Sequence, residues 1–273
     1  MLESRKREIR IKADSFREKC KVGRYGIIDL FKECERAGYK LLRYPLGENA
    51  DLGFMVKKDN DIVIFTNTCS RLSREIFTLA HEIGHVILHL EDEKPFIDDN
   101  VTINGRSTDE KEQEANYFAA CLLMPANDVN RFIDLEIRDF HEKGLSAMDI
   151  VRIMSEFNVS FDMALNRLES LNVINQSRKL CLDNERIEKR VGNLLRSVGG
   201  NAKLNLPSNE IYIPYEYIDY AIYNYNHNAI PKETLEKVLA CYHLEIEDIR
   251  DKLIQPSDDD DDDLDELIGD LDD

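Results

Sequence analysis

The chain has 273 residues and a formal net charge of −18, and 42% of its residues are apolar. That apolar share is enough for a hydrophobic core and excludes a wholly disordered chain, while the length predicts two domains, or one domain with a large appendage. The negative charge argues against nonspecific binding of the whole molecule to nucleic acid or to an anionic membrane.

Much of the negative charge lies at the end of the chain. Residues 258–273 hold eleven acidic residues and no basic one, so residues 1–257 carry only −7. The beginning of the chain lacks the apolar stretch of a secretory signal, and no apolar run reaches the roughly 18 residues of a membrane span. The six cysteines are far apart and form no CxxC pair. We therefore expect a cytoplasmic protein with reduced thiols and no membrane association.

The first part of the chain predicts helices followed by a small sheet. Residues 3–37 favour helices with a break near residues 22–25. Three runs rich in Val, Ile, Phe and Tyr then predict strands at residues 40–44, 53–57 and 62–66. The sequence Asp59-Asn60-Asp61 predicts a hairpin turn between the last two strands.

Two helices are predicted after the sheet. Apolar residues recur at intervals of three and four over residues 70–90, which is the period of a helix with one buried face. An acidic loop at residues 91–105 breaks this pattern. Ser107 and Glu110 form a capping-box pattern that opens the second helix, and Pro125 marks its end.

The second half of the chain is predicted to be helical, with helices over residues 130–174, 177–198, 215–225 and 231–253. Residues 147–171 also fit a helix-turn-helix, which would make this a DNA-binding regulator. Their net charge of −2 lacks the basic footprint of a DNA-recognition element. We therefore expect a helical hairpin packed on the core, and no direct DNA binding.

Charge is also unevenly distributed near the end of the chain. Residues 176–204 carry seven basic and three acidic side chains, whereas the acidic tail has Leu264, Leu267, Ile268 and Leu271 on one helical stripe. We expect the tail to be disordered and solvated. The alternative is that it folds on a partner, or on the basic 178–196 segment of its own chain.

The strongest chemical signal is His81-Glu82-Ile83-Gly84-His85 in the first of the two helices. Helix positions i and i+4 share a face, so both imidazoles can converge on one metal ion while Glu82 acts on a water. A catalytic zinc takes three protein ligands and keeps one position open. His89 lies about 12 Å from His81 along the helix axis and is therefore not expected to share the ion.

The second helix offers Glu112 and Glu114 as the third ligand. Ala115 and Ala119 are small and spaced by four, which permits close approach of another helix, and Glu112 lies on the same stripe. We therefore favour Glu112 and keep Glu114 as the alternative. Asn116, one turn after Glu112, is placed to hydrogen-bond a ligand.

The segments FTLAHEIGHVILH (77–89) and EQEANYFAACLLMP (112–125) together resemble the ImmA/IrrE metallopeptidase family, and the resemblance extends over roughly residues 5–175. It implies an α+β fold, with a minimal zincin-like core of a small sheet packed on the HExxH helix. It also implies His81, His85 and a Glu of the second segment as ligands of one Zn²⁺, with Glu82 as the catalytic acid/base. Several such proteins belong to prophages and mobile elements and relieve repression by cleaving a repressor.

These observations predict a zinc-dependent, site-specific endopeptidase that cleaves a regulatory protein such as a helix-turn-helix repressor. The alternative is a metal-binding regulatory, stress-response or transcription-regulating protein that acts by binding without turnover. A substrate peptide is expected to add as a strand to an edge of the sheet, and Tyr117 and the tyrosines of residues 212–225 are candidates for a second oxyanion donor. The predicted division is a metallopeptidase core (1–130), a helical hairpin (131–175), a helical C-terminal region (176–257) and the acidic tail (258–273).

Overall fold

The computed structural model describes residues 1–47, 49–58, 61–90, 96–98, 109–138 and 140–254. They form a small sheet surrounded by helices, with a helical C-terminal part, which confirms the predicted α+β class. The strands are β1 (Lys40–Tyr44), β2 (Gly53–Lys58), β3 (Asp61–Asn67) and β4 (Phe96–Asp98). The predicted turn residues 59 and 60, most of the 91–105 loop, Ser107 and the tail 258–273 lie outside the described residues.

Most helices of the described residues fall within the predicted helical regions. The helices that carry or support the site are α1 (Glu3–Arg17), α2 (Leu30–Arg36), α3 (Leu72–His89) and α4 (Glu110–Leu123). The C-terminal helices are α5 (Ala126–Glu136), α6 (Phe140–Lys143), α7 (Ala147–Phe157), α8 (Phe161–Ser170), α9 (Gln176–Lys189), α10 (Val191–Ser197), α11 (Glu216–Asn226) and α12 (Lys232–Cys241), with short 3₁₀ segments at Ala202–Asn205 and Ile246–Lys252.

The sheet has the strand order β1-β3-β2-β4, in which β1 and β3 are parallel and the other neighbours are antiparallel. Its register places residues of three strands in rows that share one face. The row Leu41, Ile64 and Met55 is buried in the hydrophobic core. The next row along the strands consists of Arg43, Thr66 and Gly53. This row lies against two acidic side chains of α3, Glu75 and Glu82.

A buried ion pair joins this row to α3. Arg43 donates from Nε to Glu75 Oε1 at 2.7 Å, and Thr66 donates to the same oxygen at 3.0 Å. Residues 206–212 also contact this ion pair. Ser208 donates to Glu75 Oε2 at 3.0 Å, and Glu210 pairs with Arg43 at 2.7 Å. The start of α3 is thus held by the sheet and by a segment far along the chain.

The segment 206–212 also covers the outer edge of β1. Tyr212 and Arg43 exchange two backbone hydrogen bonds of 2.8 and 2.9 Å, and the Leu72 amide donates to the Leu206 carbonyl at 2.8 Å. Part of the unpaired edge that β1 would otherwise expose is therefore satisfied within the chain.

Several element ends differ from the sequence prediction. The break between α1 and α2 covers residues 18–29 rather than 22–25. Within it Gly26 contacts the backbone of Glu156 so closely that a Cβ would lie 1.9 Å from the Glu156 carbonyl oxygen. The N-cap of α4 is Asp109, which accepts from the Lys111 amide, rather than Ser107. Within residues 147–171 the structure has two helices, α7 and α8, with left-handed Asn158 at the turn, and the choice between a helical hairpin and a helix-turn-helix stays a prediction.

The predicted helical regions 130–174 and 177–198 are each divided into several helices in the structure, and the last predicted helix, residues 231–253, is shorter than expected. The second region is interrupted at Arg190, which has a positive φ of 58°, and the last helix ends at Cys241 before a 3₁₀ segment. None of the helices in the described ranges combines the length and the apolar character that a membrane span requires.

The chain forms two compact units, Met1–Tyr212 and Ile213–Asp273. The first unit has one continuous core that includes residues of the sheet, α3, α4, α7 and α8. The second unit, described as far as residue 254, has a smaller core of Ile218, Ala221, Ile222, Leu235, Leu239 and Ile249. The finer division at residues 130, 175 and 257 stays a prediction.

Candidate metal centre

The two histidines and the glutamate of the HExxH motif lie in the middle of α3 and are fully buried. His81, Glu82 and His85 each have a relative exposure of 0%. Burial of three ionisable side chains on one helix is costly unless they are paired, hydrogen-bonded or bound to an ion. The side chains around the motif therefore have to offset this cost.

Close packing of α3 against α4 brings Glu112 to the histidines. A Cβ at Gly84 would lie 3.2 Å from the Ala115 Cα and 3.1 Å from the Phe118 ring, so the glycine inside the motif permits this approach. Ala115 and Ala119 are fully buried, as the small-residue spacing predicted. Glu112 lies on the same face of α4 and is 7% exposed.

Three ligand atoms converge between the two helices. The Nε2 atoms of His81 and His85 are 3.0 Å apart. The carboxylate oxygens of Glu112 lie 3.3 Å from His81 Nε2 and 3.2 Å from His85 Nε2. Ligands of a tetrahedral zinc at 2.0–2.1 Å are about 3.3–3.4 Å from one another. The spacing and the donor types therefore fit one zinc ion.

The electrostatics of Glu112 suit an anionic ligand. Burial by itself raises the pKa of this carboxyl group, but hydrogen bonding and charge attraction from His81 and His85 outweigh burial and hold the pKa well below its usual value. Glu112 is therefore a carboxylate at neutral pH, which is the form that binds a metal.

Glu114, the alternative third ligand, is paired elsewhere. It accepts two hydrogen bonds from Arg5 of α1, with the Arg5 Nε atom 2.7 Å from Oε1 and Nη2 2.6 Å from Oε2. The pairing with Arg5 lowers the pKa of Glu114. His89 Nε2 lies 3.6 Å from Glu114 Oε2, and burial lowers the pKa of His89. Glu114 and His89 thus form a separate group beside the His81–His85–Glu112 cluster.

Glu82 faces the sheet at a position that only glycine fits. A Cβ at Gly53 would lie 3.3 Å from Glu82 Oε1 and 2.4 Å from the Thr78 methyl group. Sequence reasoning did not select Gly53, although a glycine at the start of a strand often marks a close approach. This contact places Glu82 beside β2, one helical position from His81.

The tyrosine candidates for an oxyanion donor do not join this cluster in the first unit. Tyr117 is near Cys121 on another side of α4, and burial raises its pKa. The Tyr212 hydroxyl donates to Glu35. The remaining tyrosines of residues 215–225 belong to the second unit, and the identity of a second oxyanion donor stays a prediction.

A comparison of the sequence with protein-family models gives a match that includes the residues of the candidate metal centre. Residues 34–169 match the peptidase family model described as the IrrE N-terminal-like domain. Residues 34–169 of the chain belong to the ImmA/IrrE family. The match includes β1–β3, α3 and α4, so every residue of the candidate ImmA/IrrE metal centre lies inside it. Arg5 and the segment 206–212 lie outside the matched domain. A comparison with curated proteins finds no significant match.

Membership of the ImmA/IrrE family indicates metallopeptidase-type chemistry, and the structure holds one His-His-Glu group that is able to bind a metal within its described residues. The assignment of His81, His85 and Glu112 as the individual ligands stays a prediction.

The choice between the two glutamates is open to a direct test. We expect Glu112→Gln to lower zinc affinity by more than the roughly 10–100-fold that loss of an outer hydrogen-bond partner causes, because the variant removes an anionic ligand. Glu114→Gln is the matched control on the same helix and is expected to keep the affinity of the natural chain. The measurement is zinc binding in competition with a chelating dye. A larger loss for Glu114→Gln would reverse the assignment.

Proposed function

We propose that this protein is a zinc-dependent endopeptidase of narrow specificity that cleaves a regulatory protein, such as a helix-turn-helix repressor. The observation that supports this most is the convergence of His81, His85 and Glu112 beside Glu82, inside an ImmA/IrrE domain. The three ligands come from two helices in close contact, and the general base comes from the same helix as two of them. This is the arrangement that peptide hydrolysis at one zinc requires.

Each residue of the site has its own proposed role in peptide hydrolysis. His81, His85 and Glu112 would hold the zinc, which supplies a Lewis acid that polarises the scissile carbonyl and acidifies a water. Glu82 accepts the proton of the attacking water and then donates it to the nitrogen of the leaving amine as the C–N bond breaks. Because Glu82 is fully buried against β2, packing restricts the positions that its carboxylate can take.

The sheet suggests how a substrate is aligned. A peptide that adds to a sheet edge uses its backbone for affinity and its alternate side chains for specificity. The β1 edge is blocked at Arg43 by the Tyr212 backbone. Glu82 lies beside Gly53 of β2, and β4 pairs with β2 over Gly53–Met55. We therefore place the substrate on the β2–β4 side of the sheet.

A regulatory protein is the substrate class that the family resemblance favours. The test compares new protein N-termini, by terminal labelling and mass spectrometry, in cells that express the natural chain or the Glu82→Gln variant. We expect the natural chain to generate new termini in one or a few proteins, including a DNA-binding regulator, and chelation of zinc to abolish them in extracts. Identical termini in both samples would contradict the proposal.

A further inference from the structure

The outer face of helix α11, in the second unit, carries aromatic side chains. Glu216, Tyr220, Tyr223 and His227 follow one another at intervals of four, three and four residues, which places them on one face of the helix. Tyr220 is 51% exposed and Tyr223 is 61% exposed. The opposite face of α11 is the one buried in the core of the unit. We refer to these four residues as the tyrosine face.

The rings of the tyrosine face are ordered by contacts with their neighbours. The Tyr223 and His227 rings stack with their centroids 4.0 Å apart, and His227 Nδ1 lies 2.7 Å from the Tyr223 carbonyl oxygen. The Tyr220 ring meets the Tyr217 ring edge-on at 6.0 Å. The outer face of an amphipathic helix normally carries charged and polar residues, whereas tyrosine is enriched in protein interfaces. Rings already held in place lose less conformational entropy on binding a partner.

The second unit also carries most of the negative charge of the chain. Its described residues 213–254 have eight acidic and four basic side chains, and residues 258–273 add eleven acidic ones. The unit therefore accounts for −15 of the net charge of −18, and residues 1–212 for only −3. The aromatic rings of α11 thus belong to a strongly anionic part of the protein.

This charge selects among the molecules that an aromatic face is able to bind. Tyrosine rings stack on the bases of single-stranded nucleic acid, but such sites combine them with a positively charged groove. A second copy of the unit would bring surfaces of the same sign together, which costs free energy. A protein segment rich in Arg and Lys fits both features, because tyrosine rings attract these cations and carboxylates pair with them.

We propose that the tyrosine face is a docking surface for a basic segment of the protein substrate. Arg and Lys side chains of that segment stack on Tyr220 and Tyr223 and pair with carboxylates such as Glu216. The inference rests on the proposed function and extends it, because the face lies outside the peptidase domain of residues 34–169. A DNA-binding regulator offers such a segment, since the surface that contacts phosphates is rich in Arg and Lys.

The experiment titrates the full chain with an arginine-rich helical peptide, and with the matched peptide in which every Arg is replaced by Gln. The double variant Tyr220→Gln/Tyr223→Gln removes both rings and keeps the charge. It is expected to weaken binding of the arginine peptide by about 5–30-fold, the combined effect of two cation–π contacts at exposed positions. Tyr220→Phe/Tyr223→Phe keeps both rings and is expected to keep the affinity.

The design separates this face from general attraction to an acidic chain. Attraction of the peptide to residues 258–273 is the same in all the tyrosine variants, because none of them changes the charge. Leu180→Gln/Ile187→Gln is the matched control, since it removes two exposed apolar side chains of α9 in the first unit, and it is expected to leave binding unchanged. No loss in the tyrosine-to-Gln variant, or an equal loss in the Phe variant, would overturn the proposal. Binding of single-stranded DNA, or self-association, that is lost in the Gln variant would identify a different occupant and overturn it as well.

The peptide titration needs neither zinc nor cleavage, so it is independent of the proposed function. Glu82→Gln is expected to bind the arginine peptide as tightly as the natural chain does. In cells, the tyrosine-to-Gln variant is expected to produce the same new protein N-termini at a lower yield, with zinc content unchanged. An unchanged yield would overturn the role of the face in substrate docking. A natural chain that binds no zinc and cleaves nothing would instead contradict the proposed function and leave the peptide result valid.

Discussion

Replacement of Glu82 by glutamine is expected to leave zinc bound and to lower the cleavage rate by about 10²–10⁴-fold, the usual contribution of a general acid–base residue. The amide has nearly the same shape as the carboxylate but cannot accept the proton of the attacking water. Since Glu82 is fully buried and lies against Gly53, a substitution of the same size avoids a clash with the sheet. The measurements are zinc content and initial cleavage rate of the two purified chains.

The control for this prediction is His85→Ala, which removes a proposed ligand from the same helix. That variant is expected to lose both zinc and cleavage, whereas Glu82→Gln loses cleavage alone. Cleavage by Glu82→Gln at the natural rate would contradict the proposed chemistry. If Glu82→Gln also kept the biological effect of the natural chain, the alternative of a regulator that acts by binding without turnover would be supported.

Substitution of Arg43 by methionine is expected to lower the free energy of unfolding by about 3–5 kcal/mol, the cost of leaving a buried charge without its partner. Glu75 has an exposure of 0% and accepts hydrogen bonds from Arg43, Thr66 and Ser208. Of these three hydrogen-bond donors only Arg43 is charged, so its loss leaves Glu75 with two neutral donors. The measurement is denaturant-induced unfolding of the natural and variant chains.

Two further variants make the Arg43 prediction specific. Arg43→Met combined with Glu75→Leu removes both charges and is expected to recover much of the lost stability, because well-packed apolar residues often replace a buried pair without loss. Lys252→Met breaks an ion pair with Asp219 in which both side chains are about half exposed, and it is expected to leave the free energy of unfolding nearly unchanged. A decrease in the free energy of unfolding of less than about 1 kcal/mol for Arg43→Met would contradict the proposed role of Arg43 as the charged partner of buried Glu75.

The Arg43–Glu75 network also matters for the site. Glu75 precedes Glu82 by seven residues, so the two carboxylates lie on the same face of α3. The sheet row Arg43, Thr66 and Gly53 contacts both of them, Glu75 through the first two residues and Glu82 through the third. Anchoring of Glu75 to this row therefore fixes the rotation of α3 and, with it, the position of the proposed base.

Local patterns in the sequence were sufficient for the elements that build the core. The three strands before α3 were predicted to within one or two residues at each end, because their Val, Ile and Phe content follows the strand pattern. Helix α3 was predicted at residues 70–90 and extends from Leu72 to His89, because its apolar residues follow the helical period. The separation of His89 from the cluster also followed from helix geometry alone.

Contacts between distant parts of the chain were not predictable in this way. Helical phase favoured Glu112, but the pairing of Glu114 depends on Arg5, more than one hundred residues earlier. The pairing of Tyr212 with Arg43 and the contact of Gly26 with Glu156 are likewise tertiary, and no local pattern marks them. The early end of the last predicted helix at Cys241 also has no breaker residue in the sequence.

The central claim is that His81, His85 and Glu112 bind one zinc ion, and the metal content of the purified full chain tests it most directly. After equilibration with excess zinc and removal of the unbound metal, elemental analysis is expected to give one zinc per natural chain and a strongly reduced amount in His85→Ala. A natural chain without zinc, or equal zinc in both chains, would contradict the account.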